Sequence, residues 1–124
     1  MEKPVISFEQ YEILNINYEK LENSEHDEQN IDTSVSIGFT EDMQAGKVEI
    51  EVKVFDPELF RKITVSLRGL FTISEGLSEE EIKMYLAQNG TAILYPYVRS
   101  IVSFISSLDS ESAIVLPTIN TLKR

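Results

Sequence analysis

The residues best suited to chemistry are concentrated in one acidic stretch, which also contains the only histidine. Four of its side chains are of types that bind metal ions: His26, Asp27, Glu28 and Asp32. The stretch lacks the alternating acids and central glycine of a calcium loop, and a single histidine without cysteine cannot complete a closed zinc site. The pattern therefore predicts a solvated acidic loop over residues 21–32 and no metal ion or other cofactor.

Groups for covalent or acid–base catalysis are sparse in the rest of the chain. There is no cysteine, which removes thiolate nucleophiles, disulfides and cysteine-based metal sites. No Ser-His-Asp arrangement surrounds His26, and no glycine-rich phosphate loop is present. Glu49 and Glu51 share one face of a predicted strand, where alternate carboxylates usually face water. We therefore predict a protein that is not an enzyme.

The net charge of −10 restricts the classes of partner. Such a chain repels nucleic-acid phosphates and anionic lipid head groups, so neither nucleic acid nor a membrane surface is an expected partner. Cationic segments of other proteins are attracted instead. The acidity serves either this attraction or solubility alone, and the sequence leaves both explanations open.

The cellular location follows from three absences in the sequence. The first residues form no apolar signal region, and no apolar run reaches the roughly 20 residues that span a bilayer. A secreted domain of this size also tends to need disulfides, which a chain without cysteine cannot form. We expect a cytoplasmic protein without membrane insertion.

The size of the chain suits one domain over residues 1–124, and apolar residues make up 42% of it. A domain this small buries only about two-thirds of the surface that its unfolded chain exposes. Apolar surface is therefore left over, and assembly into an oligomer would cover it.

Four segments alternate between apolar and polar residues with the period of a β-strand. The clearest is the third, where valine or isoleucine occupies every second position and lysine or glutamate lies between. Because the connections are short, the segments predict an antiparallel four-stranded sheet. The first segment is apolar at both parities, which indicates two apolar faces or a bulge. Gly69 in the fourth indicates a bulge or the close approach of another backbone. The segments are residues 8–20, 33–40, 47–55 and 61–74.

Two helices are predicted after the strands. Ser78 and Glu81 fit a capping box at the start of the first helix, and Asn89 and Gly90 are typical of a helix end. The second helix covers roughly residues 92–108 and is apolar around more than one side. The fold class is therefore α+β, with the sheet covered on one face by the long C-terminal helix and the short one. The surplus apolar side of the long helix would contact another subunit, a client polypeptide, or both. The following apolar residues predict an extended segment packed on the domain, over residues 114–120.

Three short blocks of sequence carry a family resemblance. Residues 69–73 read Gly-Leu-Phe-Thr-Ile, residues 89–99 read Asn-Gly-Thr-Ala-Ile-Leu-Tyr-Pro-Tyr-Val-Arg, and residues 116–120 read Leu-Pro-Thr-Ile-Asn. In this order, behind four strands, they resemble the SecB family of protein-export chaperones. The order and spacing match over about residues 8–120.

The resemblance implies an assembly and a function. SecB proteins form dimers that pair into tetramers, hold unfolded precursor polypeptides in apolar grooves, and pass them to the export ATPase SecA. Homo-oligomers and unfolded client polypeptides are therefore expected here. Tyr97 and Arg99 lie within the matched blocks. As an alternative to a functional role, Tyr97 would be an aromatic ring packed on the sheet and Arg99 would pair with a carboxylate. Eight residues are candidates for a client groove or a subunit interface, with ordinary core packing as the alternative: Phe39, Phe71, Leu94, Tyr97, Val98, Ile101, Val102 and Ile105.

Two departures from the better-known members count against handover to SecA. Their chains continue to a zinc-binding tail that contacts SecA, whereas only residues 121–124 follow the last motif here, and we expect no such tail. Their outer sheet face also carries an acidic patch that binds SecA. In this chain Glu19 retains one acid, Asn15 and Thr64 stand where acids would be, and Lys62 stands where a leucine would be. The alternative to a general chaperone is an adaptor or regulatory module dedicated to one partner, such as an antitoxin.

Overall fold

Four antiparallel strands pair into one sheet. They are β1 (Ile6–Lys20), β2 (Asn30–Phe39), β3 (Ala45–Asp56) and β4 (Arg61–Ile73), and their spatial order is β1-β4-β3-β2. Consecutive strands β1 and β2 therefore lie at opposite edges. The structure, a computed structural model, describes residues 4–22 and 29–118. The predictions for His26, Asp27 and Glu28, and for residues 119–120 of the extended segment, lie outside the described residues.

The two central strands have the alternation that their sequences predict. In β3, Val48, Ile50, Val52 and Val54 are buried on one face, while the lysines and glutamates between them lie on the other.

β2 pairs with β3 from Asn30 to Phe39 without a register shift. β2 thus begins three residues before the predicted strand, so the loop predicted to reach Asp32 is shorter than expected. The extra pairs are favourable because Ile31 packs against the core and Asp32 lies opposite Lys53.

Edge strand β1 contains two bulges. Its register against β4 shifts between Phe8 and Gln10 and again between Ile13 and Asn15. Each bulge inserts one residue and reverses the parity of the side chains that follow. This confirms the bulge reading of the first strand and explains why its apolar residues do not keep one parity. Directly paired residues share a face, so the bulges bring six side chains to the face that carries the buried row of β4: Ile6, Phe8, Tyr11, Ile13, Ile16 and Tyr18.

The helical region is continuous, and the helix end predicted at Asn89 and Gly90 is wrong. Helix α1 (Glu79–Tyr85) passes through one π-helical turn (Leu86–Gly90) into α2 (Thr91–Ser106), and Gly90 has right-handed helical angles, with φ −62° and ψ −43°. A Cβ at Gly90 would lie 2.7 Å from Cγ2 of Val48. The glycine therefore allows close packing of the helix on the sheet instead of ending the helix. The predicted capping box is confirmed, because Ser78 and Glu81 each accept a hydrogen bond from the other's backbone N–H.

The core lies between the central strands and one side of the helical region. Leu94, Val98 and Val102 of α2 are fully buried against the apolar rows of β3 and β4. Gly69 makes room there, since a Cβ would lie 3.1 Å from the ring of Phe71 and 3.4 Å from Leu94. The close approach is thus made by side chains, whereas a bulge or another backbone was expected. None of the helices in the described ranges is long and apolar enough to cross a membrane.

Candidate functional site

Helix α2 has a second apolar stripe that its own sheet does not cover. Residues 93, 97, 101, 104 and 108 follow one another at three- and four-residue spacing, so they fall on one side of the helix or its direct continuation. Phe104 is 65% exposed and Leu108 68%, while Ile93 and Tyr97 are each more than one-third exposed. The core stripe of the same helix is fully buried, so the predicted surplus of apolar surface is present in the structure.

The neighbouring surface of β1 is apolar and exposed as well. Ile13 pairs with the fully buried Leu67 of β4, and Ile16 pairs with the fully buried Val65, so both side chains lie on the helix side of the sheet. Ile13 is nevertheless 54% exposed and Ile16 is 42% exposed. The helix covers the central strands and leaves this part of the edge strand open.

Two contacts show that β1 and α2 run side by side. The rings of Tyr11 and Tyr97 stack with 4.4 Å between their centroids. Further along both elements, the hydroxyl of Tyr18 donates a hydrogen bond to Asp109. The intervening stretches have similar lengths, about 23 Å of strand and about 18 Å along the helix direction. They therefore lie side by side and form an apolar surface, here called the edge cleft: Tyr11, Ile13 and Ile16 of β1, and Tyr97, Ile101 and Phe104 of α2.

A buried arginine closes the end of the edge cleft. The side chain of Arg61 is only 1% exposed, and its Nε lies 2.8 Å from Oδ2 of Asp56. Its Nη1 donates to the carbonyl oxygen of Ser106 and to Oδ1 of Asp109, both at 2.9 Å. A cation at the C-terminal end of a helix is favourable because the last carbonyl groups have no amide partner. Arg61 thereby fixes the end of α2 to the end of the sheet.

The groups at the C-terminal end of α2 stabilise one another's protonation states. The hydrogen bond from Tyr18, and then the charge of Arg61, hold the pKa of Asp109 below its ordinary value. The same hydrogen bond and burial raise the pKa of Tyr18, so its hydroxyl keeps its proton and donates. Burial by itself lowers the pKa of Arg61, but the hydrogen bond from its guanidinium to Asp56, together with the nearby Tyr18, raises it overall. All three groups thus stay in the protonation states that hold the helix end in place near neutral pH.

On its other side, α2 carries an extended segment, here called the strap (residues 113–118). Ile114 and Leu116 of the strap are buried, as predicted for the apolar residues after the long helix. A hollow of about 560 Å³ lies between the strap and α2, where Phe104, Ser100 and Ser103 of the helix face Val115. Arg99 donates to the carbonyl oxygen of Leu116 at 3.1 Å, whereas a carboxylate partner was predicted for it.

The outer face of the sheet is polar. Glu19 pairs directly with Lys62, and Asn15 and Thr64 lie on the same face, opposite the buried row of β4. The structure therefore brings the four predicted partner-binding residues together. Elsewhere on this face Arg68 forms an ion pair with Glu49 at 2.7 Å, and the hydrogen bond between them lowers the pKa of Glu49. Acids on this face are thus partly neutralised by neighbouring cations.

The eight candidate groove or interface residues divide into two groups. Phe71, Leu94, Val98 and Val102 are almost completely buried in the core of the chain and leave no surface for a client or a second copy. Ile101 and Ile105 pack against the border of the core, and Phe39 packs against it from β2 beside an apolar hollow of about 350 Å³. Tyr97 is 37% exposed and stacks on Phe8 and Tyr11. The cleft residues that the candidate set omitted are Tyr11, Ile13, Ile16 and Phe104. The sequence shows only that these residues are apolar. The bulges that bring the β1 residues to one face are visible only in the strand pairing.

Metal-binding groups are not brought together in the described part of the chain. Within residues 4–22 and 29–118, no three side chains of histidine, aspartate or glutamate converge on one point. A hollow of about 820 Å³ lies beside Arg61, and the residues that line it include Asp56 and Asp109. Both carboxylates already bind the arginine, so this hollow supports the helix end.

Comparisons with known proteins give one family match and two structures of similar fold. The family model of the preprotein translocase subunit SecB matches residues 6–122, whereas no curated protein matches the sequence. The fold is similar to a SecB-like chaperone of Mycobacterium tuberculosis in complex with a ChAD peptide from the HigA1 antitoxin, with a TM-score of 0.75, 17% identity, and coverage of 92% of this chain and 87% of that one. It is also similar to a protein of unknown function from Streptococcus agalactiae, with a TM-score of 0.60, 12% identity, and coverage of 90% and 96%. At these identities the two structures establish likeness of fold alone.

Proposed function

The chain belongs to the SecB family, and we propose that it is a chaperone that holds unfolded polypeptide segments against the edge cleft. The observation that carries the proposal is the cleft itself. Exposed apolar side chains from a strand and a helix adjoin there, and they remain open in the folded chain. Contiguous apolar surface of this kind is typical of sites that bind other polypeptides.

The physical properties of the edge cleft fit an unfolded client. It consists of exposed apolar side chains, so it selects for apolar surface more than for one shape. The aromatic pair of Tyr11 and Tyr97 offers large flat faces that accommodate many apolar side chains. The net charge of −10 would attract the cationic segments of clients and speed their encounter with the protein.

The proposed function also implies a cellular location and an oligomeric state. We place the protein in the cytoplasm, acting as one domain on precursor polypeptides in protein export, without catalysis or cofactor. A homodimer or homotetramer would cover apolar surface that a single chain leaves open. SecA is not assigned as a partner, because Lys62, Asn15 and Thr64 replace the acidic and apolar residues expected on the outer sheet face.

A light-scattering assay tests the proposal. The B chain of insulin aggregates after reduction, and the reductant does not affect a protein that has no cysteine. We expect the wild-type chain to suppress the scattering at stoichiometric amounts. Phe104→Ser and Ile13→Ser each remove exposed apolar surface from the edge cleft and should weaken suppression several-fold. Met84→Ser is the matched control, because Met84 is 44% exposed but lies on α1.

The outcomes of this assay separate the possibilities. Absence of suppression by the wild type, for insulin and for a second unrelated client, would exclude a general chaperone. Equal suppression by Phe104→Ser, Ile13→Ser and Met84→Ser would move client binding away from the edge cleft. Sedimentation of the same samples measures whether the variants also change the oligomer.

A dedicated adaptor is the second candidate function. The similar Mycobacterium tuberculosis chaperone was solved with a peptide from an antitoxin, which favours one specific partner as an alternative to many clients. Under this alternative, pull-down from a lysate of the native host recovers one protein at a stoichiometric level, and the insulin assay shows no suppression. A broad set of weakly bound polypeptides would favour the general chaperone.

A further inference from the structure

The strap runs antiparallel to α2 along one side of the helix. Ile114 lies beside Ser106 at the end of α2, Leu116 beside Arg99, and the next strap residue beside Tyr95 near its beginning. Positions 95, 99 and 106 are separated by four and seven residues, so they fall on one side of a helix. The strap is therefore an extended peptide bound along a straight line of helical side chains.

Three hydrogen bonds join side chains of α2 to the backbone of the strap. The hydroxyl of Ser106 accepts from the N–H of Ile114 at 2.7 Å. Arg99 donates to the carbonyl oxygen of Leu116 at 3.1 Å, and the hydroxyl of Tyr95 donates to the carbonyl oxygen of Pro117 at 2.8 Å. Because every residue has a carbonyl group and most have an N–H, these contacts do not depend on the sequence of the bound peptide.

The side chains of the strap supply the rest of the attachment. Ile114 is 8% exposed and Leu116 is 1% exposed, whereas Val115 between them is 72% exposed. This alternation is that of an extended peptide with one apolar face. The binding surface thus requires apolar side chains two residues apart and an extended backbone, which are features that many unfolded polypeptides share.

The backbone of Val115, in the middle of the strap, is not tied to the described part of the chain. The N–H and carbonyl groups of Val115 have no hydrogen-bond partner among the described residues, although neighbouring strands of the sheet are joined along their whole length. The hollow of about 560 Å³ beside Val115 opens to the surface next to Phe104, which also belongs to the edge cleft. An incoming peptide in the cleft would therefore lie next to the strap.

We propose that Tyr95, Arg99 and Ser106 form a binding site for extended polypeptide on α2, and that the strap occupies it as a built-in ligand which a client segment displaces. The inference rests on the proposed function and extends it to the opposite side of the helix. The client segment that fits is extended, with apolar residues at alternate positions. A tethered ligand has an effective concentration in the millimolar range, so a short free peptide competes poorly, whereas a long client anchored in the edge cleft competes well.

The first test measures binding of a strap peptide supplied in trans. The probe is a fluorescein-labelled synthetic peptide with the sequence of residues 112–118, and its anisotropy reports binding. Leu116→Ser weakens the tethered strap and should bind the probe at least about tenfold more tightly than the wild type, because the competitor is weakened. Val115→Ser is the matched control, since its side chain is already exposed and the strap stays in place. Equal affinity of Leu116→Ser and wild type for the probe would overturn the proposal, provided that circular dichroism shows both to be folded.

The second test needs no variant. Hydrogen exchange of residues 113–118 is measured in the wild-type protein with and without reduced, carboxymethylated α-lactalbumin, which cannot refold. Displacement predicts faster exchange at Ile114 when the client is bound, because its N–H loses the hydroxyl of Ser106. Unchanged or slower exchange with client bound would mean that the strap is a permanent wall of the groove, and the proposal would fail.

The two proposals fail in different ways. Loss of the proposed function appears as no client binding by the wild type, or as client binding that Phe104→Ser leaves unchanged. Failure of the strap proposal appears as normal client binding with the exchange of residues 113–118 unchanged or slowed. The peptide assay in trans reports on the strap even if insulin aggregation is not suppressed.

Discussion

The two stripes on α2 are both apolar but lie in different environments. Leu94, Val98 and Val102 on one stripe are fully buried, whereas Phe104 and Leu108 on the other keep about two-thirds of their surface exposed. The reason lies in the sheet, because the helix packs mainly across β3 and β4 and leaves Ile13 and Ile16 of β1 largely uncovered. The first stripe therefore stabilises the fold, and the second contributes little to stability and is available to other chains.

The strongest way to separate the stripes is to remove a side chain from the buried one. Leu94→Ala should lower the free energy of unfolding by about 2–5 kcal/mol, because the loss of burial adds to the cavity that remains. Urea denaturation followed by circular dichroism measures it. Ile93→Ala is the control, since Ile93 neighbours Leu94 but is 36% exposed. Equal losses in the two variants would contradict the division of α2 into a core side and an open side.

A smaller effect is expected at the closest contact between helix and sheet. Alanine normally stabilises a helix relative to glycine, by about 1 kcal/mol. At Gly90 the added Cβ would meet Val48 at 2.7 Å, so Gly90→Ala should instead destabilise the protein by about 1–3 kcal/mol. The same urea experiment measures it. Gly38→Ala is the control, because its Cβ would meet only the flexible end of Lys47 at 3.1 Å. A stabilised Gly90→Ala would show that the helix can shift away from the sheet.

Acid should loosen the end of α2 that adjoins the edge cleft. The hydrogen bond from Tyr18 lowers the pKa of Asp109 in the folded state, so Asp109 contributes stability above its unfolded pKa of about 3.9. That contribution is lost as the pH falls through the lower, folded value. The urea midpoint of the wild type should therefore exceed that of Asp109→Asn near neutral pH, and the gap should narrow on acidification. A gap independent of pH would contradict the role of this carboxylate.

The smallest effect on stability is expected on the open stripe. Phe104→Ala should change the free energy of unfolding by no more than about 0.5 kcal/mol, because the ring is already mostly in water. Urea denaturation at low protein concentration measures this. A large loss of stability at that concentration would show that Phe104 is buried, either within the chain or against a second copy. It would contradict the division of α2 into a buried stripe and an exposed stripe.

Local sequence signals predicted the elements of this fold well. The alternation of β3, the capping box of Ser78 with Glu81 and the two-sided apolarity of α2 all depend on residues close in sequence. The failures were at long-range contacts. Asn89 and Gly90 carry the signal of a helix end, but the packing of Gly90 against Val48 outweighs that preference.

The candidate site was predicted in outline and not in detail. The prediction that the long helix has surplus apolar surface was correct. Half of the eight candidate groove or interface residues nevertheless lie in the core, because the sequence does not show which apolar side of the helix packs on the sheet. The β1 half of the edge cleft was absent from the candidates, since two bulges decide which of its residues face the helix. The predicted carboxylate partner of Arg99 was wrong. Its partner is the carbonyl oxygen of Leu116, which belongs to a segment 17 residues away in the sequence.

The sequence by itself determined which segments become strands and helices and that more apolar surface exists than one small sheet can bury. These properties depend on the order of neighbouring residues, which any reader of the chain can inspect. The tertiary structure alone decided that β1 lies at an edge, that Arg61 is buried beneath the end of α2, and that the edge cleft remains open beside the strap. Those features depend on which distant segments come into contact, and a local pattern does not contain that information.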